Sequence, residues 1–84
     1  ALSAAVTALV SYLLHEIDKY FTKKKYYQKG VEAARKEWDE QEKFWKKKVK
    51  DIQDSTELTI KEKLKELQDV KKQFKDYIKK QENK

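Results

Sequence analysis

A chain of 84 residues with 43% charged and 38% hydrophobic side chains builds at most one small domain with a thin core. It has no cysteine, which excludes a disulfide framework, a thiolate metal site and a thiol nucleophile; no proline and a single glycine exclude turn-rich sheet folds. The net charge of +6 comes almost entirely from lysine, and Arg35 is the only arginine. Bidentate recognition of phosphate or guanine leans on arginine's planar fork, so nucleic acid ranks low among the expected partners.

Such a composition also fits disorder. The apolar residues nevertheless keep helical phase and ten of them are aromatic, so the expected fold class is all-α.

Residues 1–21 read as an apolar helix with no charged or histidine side chain before His15. Leu2, Val6, Leu9, Leu13, Ile17 and Tyr20 form one stripe, and Val10, Leu14 and Phe21 widen it to nearly half the circumference. The fourteen residues before His15 span about 21 Å, short of the ~30 Å hydrocarbon core of a bilayer. The readings for this face are a buried core helix, an interfacial or truncated membrane segment, or a docking helix for another protein.

Residues 22–30 form an aromatic-basic junction. Between Tyr20 and Lys29 lie four aromatics and four lysines, a mixture that suits lipid headgroups or stacked single-stranded nucleic acid. The plainer reading places Tyr20 and Tyr27 in an apolar seam and leaves the lysines solvated. No acid falls between Asp18 and Glu32, so Lys23, Lys24, Lys25 and Lys29 are the candidate contact for an anionic surface.

The central segment, residues 31–54, carries the organising stripe. Tyr27, Val31, Ala34, Trp38, Trp45, Val49 and Ile52 fall within about 60° of one another at 100° per residue, the width of a coiled-coil or hairpin seam. Gln41 and Lys48 lie close to it. On the outer face, Glu32–Lys36, Asp39–Lys43 and Glu42–Lys46 are acid-before-base pairs at four-residue spacing, and Tyr26, Ala33 and Phe44 make a sparse second stripe. The four–three rhythm runs unbroken through Leu13, Ile17, Tyr20, Lys24, Tyr27, Val31 and Ala34. That continuity favours a single helix from about Leu2 to Ile52, bent near Gly30, because glycine costs only about 1 kcal/mol inside a helix. A turn near Gly30 would instead give a three-helix bundle.

Residues 54–59 punctuate the chain, and Thr59 with Glu62 matches a capping box. A helix follows over residues 60–80, with Ile60, Leu64, Leu67, Phe74 and Ile78 on one face and Val70 and Tyr77 at its edge. The five-residue link predicts antiparallel packing on the central helix, a helical hairpin. This last helix is long enough to cover only residues 33–52, so the face of residues 2–21 stays bare unless the chain folds back or something else covers it.

Catalytic chemistry has no constellation here. His15 is the only histidine, the serines have none beside them, one glycine cannot make a phosphate loop, and the carboxylates alternate with lysines. The expectation is no enzyme, no cofactor, no metal and no small-molecule substrate. The leading functional expectation is a small helical subunit or scaffold that contributes coiled-coil surface to a larger assembly, held at a membrane if residues 1–21 enter one. Its partner would be another protein or a second copy. The alternatives are a self-contained soluble three-helix module that binds a protein and, third, a nucleic-acid-binding hairpin using the lysine-rich ends.

Overall fold

Three helices account for nearly all of the computed structural model, which describes residues 4–27 and 32–82: α1 (Ala4–Tyr27), α2 (Glu32–Asp54) and α3 (Ile60–Glu82). The chain is all-α. Local chemistry sets the clearest boundary: Thr59 N donates to Glu62 Oε1 at 3.1 Å, and Glu62 N donates to Thr59 Oγ1 at 3.2 Å. This is the reciprocal capping box anticipated from sequence, satisfying two backbone donors that α3 would otherwise leave unpaired. The end of α2 is closed from across the link. No basic residue lies in its last turn, and Lys63 of α3 instead donates to the Gln53 carbonyl at 2.8 Å. A lysine there meets both an orphan carbonyl and the negative end of the helix dipole.

The single helix favoured by the unbroken rhythm is not what forms. A continuous helix from residue 2 to 52 would be about 75 Å long, whereas the longest extent of the whole molecule is 44 Å. The chain reverses between Tyr27 and Glu32, and α2 runs back along α1, as Lys25 paired with Asp39 and Lys46 paired with Asp18 require. The physical reason is burial. A straight helix leaves the apolar face of α1 in water, while a fold-back covers it for little more than the cost of one helix break. Phase could not decide the matter, because two helices facing one common axis can keep the same rhythm as one long helix.

The α2–α3 pair is antiparallel, as expected, with Lys48 Nζ donating to Gln73 Oε1 at 3.0 Å. Consequently α1 and α3 run parallel, and the bundle is up-down-up. One core runs along it, made of Val6, Val10, Leu13, Ile17 and Phe21 from α1, Trp45, Val49 and Ile52 from α2, and Leu67, Val70 and Phe74 from α3. Its aliphatic end holds the N-terminal half of α1. Its other end is aromatic.

Phe21 lies at that aromatic end, fully buried, with ring centroids of Trp38 and Phe74 each 6.0 Å away and Tyr77 at 6.2 Å. Trp45 closes the cluster from α2, 5.2 Å from Phe74 and 5.6 Å from Tyr77. Phe21→Ala empties a site shared by all three helices and is expected to lower stability by about 3–5 kcal/mol, measured by urea unfolding. A loss within the roughly 0.5 kcal/mol typical of surface sites would contradict the placement of this ring.

Candidate functional site

The surfaces that sequence singled out are sorted by the fold into three kinds. The first is core. Val6, Val10, Leu13, Ile17 and Phe21, expected to face a membrane or partner, are buried by the protein's own α2 and α3, with Leu9, Leu14 and Tyr20 partly buried against them. That face is therefore not bare: of the readings given for it, the buried core helix of a three-helix bundle is the one the fold adopts. Leu2 lies outside the described residues. Of the seam, Trp45, Val49, Ile52, Leu67 and Phe74 are buried, and Trp38, Leu64 and Ile78 are packed at its margin. Ile60 departs from the expected seam at 49% exposed. Val31 and the side chains of Tyr27 and Ala34 lie outside the described residues. Val70, assigned only to the edge, is in the core.

The second kind is an ionic strip along the α1/α2 seam. Lys25 Nζ donates to Glu42 Oε1 at 2.6 Å and to Asp39 Oδ1 at 3.0 Å. Lys46 Nζ donates to Asp18 Oδ1 at 3.1 Å and sits 3.4 Å from Glu42 Oε2, while Lys43 lies 3.3 Å from Asp39 Oδ2. Glu42 is only 8% exposed, held between two ammonium groups. A carboxylate taken that far from water is tolerable only when it is paired in this way. Asp39 and Glu42 thus leave the outer face to which sequence assigned them.

This strip also dissolves the expected anionic-surface patch. Consecutive residues on a helix point 100° apart, so Lys23, Lys24 and Lys25 go three ways. Lys25 enters the ion pairs. Lys24 lies over the rings of Tyr20 and Trp38, 5.5 and 5.9 Å from their centroids. Lys23 stays on the outer face of α1, beside His15, Asp18, Lys19, Thr22 and Tyr26 around a shallow hollow. Lys29 lies outside the described residues.

The third kind is exposed apolar surface: Tyr12, Tyr26, Phe44 and Ile60. Lys48 lies 5.5 Å from the Phe44 ring centroid, and Lys71 lies 5.1 Å from that of Tyr12. Between α1 and α3 an open groove is lined by Ala5, Ala8, Leu9, Tyr12, Leu64, Gln68 and Lys71. Sequence reasoning missed this groove and the ionic strip alike. A signal for the strip was present: Asp18 and Lys25 are seven apart on α1, Asp39 and Lys46 seven apart on α2, and only an antiparallel pairing sets each acid against a base.

Among the described residues, no group of three or more His, Asp or Glu could hold a metal ion. No helix among them is long and apolar enough to cross a membrane. No protein-family model, curated protein or solved structure matches this chain.

The charges give the bundle a pH dependence of definite sign. The hydrogen bonds from Lys25 and Lys43 hold Asp39 below the usual carboxylate range, and the hydrogen bond and charge of Lys46 do the same for Asp18. Their contribution is present above the ordinary aspartate value of about 3.9 and is lost as pH falls through the depressed folded values. Lys25 is held above the usual lysine range by its hydrogen bond to Glu42, against burial and with help from Asp39. For Lys46, burial acts downward, but Asp18 and Glu42 outweigh it. Burial pushes the Tyr77 phenol up to about 12, with the charges of Tyr20 and Glu37 adding. Raised folded values lose their contribution as pH rises past the ordinary values, about 10 for both residue types. The urea midpoint should therefore stay level between about pH 5 and 9 and fall on both sides, with the acid limb shallower in roughly 1 M salt. A midpoint that rises on acidification below about pH 4 would contradict the ion-pair geometry.

Proposed function

We propose that this chain is a non-enzymatic interaction protein: a self-contained three-helix module that binds another protein through its outer surface, as a small helical subunit of a larger assembly. One observation carries the reading. The apolar face of α1, the broadest hydrophobic face in the sequence, lies in the chain's own core from Val6 to Phe21. The hydrophobic argument for membrane attachment rested on that face being free, and it falls away with it. What faces solvent is a charged surface broken by a few exposed aromatic and aliphatic side chains. Small patches of that kind, rimmed by lysine, suit a protein contact of modest size better than they suit insertion into lipid.

An enzymatic reading finds little support. The carboxylates and lysines with short contacts neutralise one another along the α1/α2 seam, and His15 stands on the outer face of α1. Neither arrangement pairs a nucleophile with a base in a sheltered cleft.

Light scattering of the purified chain, with and without detergent and with anionic liposomes, tests the proposal. The expected result is one chain per particle, a cooperative melt, and the same mass and melt in all three conditions. Association relieved by detergent, or partition onto the liposomes, would return α1 to the role of a membrane or partner-buried helix and overturn the reading.

A further inference from the structure

Two of the three helix–helix seams are closed by polar bridges: Lys25–Asp39 and Lys46–Asp18 between α1 and α2, and Lys48–Gln73 and Lys63–Gln53 between α2 and α3. The parallel α1/α3 seam differs in character. Small side chains on α1 hold it open as a groove of about 440 Å³, floored by Ala8, Leu9, Tyr12 and Leu64 and flanked on α3 by Gln68 and Lys71. Ala8 and Tyr12 are exposed and Leu9 and Leu64 half-buried, so apolar surface reaches solvent along about two turns of α1, with Leu64 as the apolar contribution of α3.

The α3 flank beside this groove is basic. Helical spacing puts Lys61, Lys72, Lys75 and Lys79 on the flank of α3 that carries Gln68 and Lys71, and all four are exposed. Of the acids of α3, Glu62, Glu66, Asp69 and Asp76 fall on the opposite flank, while Glu82 returns to the side of Leu64 at the C-terminal end of the helix, past the span of the groove. On α1 the charged residue one turn beyond Tyr12 is an acid, Glu16. A ligand lying in the groove therefore needs apolar groups beneath and negative charge toward α3. The basic residues named are all lysines, which attract carboxylates as point charges but lack the fork that favours phosphate.

We propose that the α1/α3 groove docks an acidic amphipathic helix of a partner protein, which lays apolar side chains at three- and four-residue spacing over Leu9, Tyr12 and Leu64 and turns its carboxylates to the lysines of α3. The occupant packs as a fourth helix against two parallel ones, a ridges-into-grooves arrangement that neither a flat bilayer nor a nucleic-acid strand reproduces. The inference rests on the protein-binding reading above and gives it a site and a partner chemistry.

A displayed library of helical peptides tests it: apolar at the i, i+3, i+4, i+7 positions, randomised among Glu, Lys and Gln elsewhere, and sorted against the full chain. The enriched peptides should be net acidic. Their Kd should rise about tenfold or more against Ala8→Glu, which puts a repelling charge on the groove floor, and against the separate double variant Lys71→Glu with Lys75→Glu. All of these positions lie at the surface or its margin, and both variants should melt as the parent does. Enriched peptides that are neutral or basic overturn the proposal. So do acidic peptides indifferent to both variants, though these leave the protein-binding reading standing on another face. A library that yields no binder overturns the groove proposal, while the protein-binding reading stands or falls on the light-scattering test. Displacement of the acidic peptides by phosphatidylserine vesicles, at lipid concentrations below those of the peptide, would assign the groove to lipid and overturn the proposal as well.

Discussion

Phe21 occupies the place where α1, α2 and α3 converge, and the rest of the structure depends on that convergence. Its ring touches Trp38 from one side and Phe74 and Tyr77 from the other, and Trp45 joins the same cluster through Phe74 and Tyr77. A chain so rich in charge has few aliphatic residues from which to build a core, and large rings bury the most area per residue. Placing them at one end lets a narrow stripe on each helix suffice. The cluster is not fully economical: Tyr20 Oη and Trp45 Nε1 are buried with no hydrogen-bond partner among the described residues. Each such group costs on the order of 1–3 kcal/mol, and the rings' packing must outweigh it.

The ionic strip plays a different part. Exposed pairs such as Lys43–Asp39 add little stability, and even the sheltered Glu42 recovers through Lys25 and Lys46 little more than its own desolvation. What the strip contributes is register. Asp18 opposite Lys46 and Lys25 opposite Asp39 fit an antiparallel α1/α2 pair at one offset, and a shift by a turn would set lysine against lysine. The hydrophobic stripes hold the helices together, and the charges select how far each slides along the other. The third seam, with Lys71 over Tyr12, keeps small side chains and a groove, which is why it is the surface we propose for a partner.

Much of this was legible in the sequence, and the failures are instructive. Helical phase found the α2 and α3 faces, and the Thr59–Glu62 pair located the start of α3, because each signal is local and depends on a few neighbouring residues. The direction of the chain after Tyr27 was not local. It turned on whether burying Val6 to Phe21 outweighed one break, a comparison that needs the covered area in the folded state. A helix continuing from α1 into α2 leaves that apolar face bare and in need of a membrane or partner, whereas the fold-back, the alternative the sequence also allows, covers it within the chain. The continuous helix also sent Asp39, Glu42 and Lys25 to the surface, although their heptad spacing carried the antiparallel pairing. Ile60 was over-read in the opposite sense: it keeps the phase of the α3 stripe but stands at the first turn, beyond the reach of the core.

The central claim is that α1 folds back so that Phe21 packs between α2 and α3 of its own chain. Ring-to-ring NOEs in a monomeric sample test this most directly. The account predicts intramolecular NOEs from the Phe21 ring to those of Trp38, Phe74 and Tyr77, at centroid separations near 6 Å. Absence of these NOEs, with Phe21 protons at random-coil shifts, would contradict it.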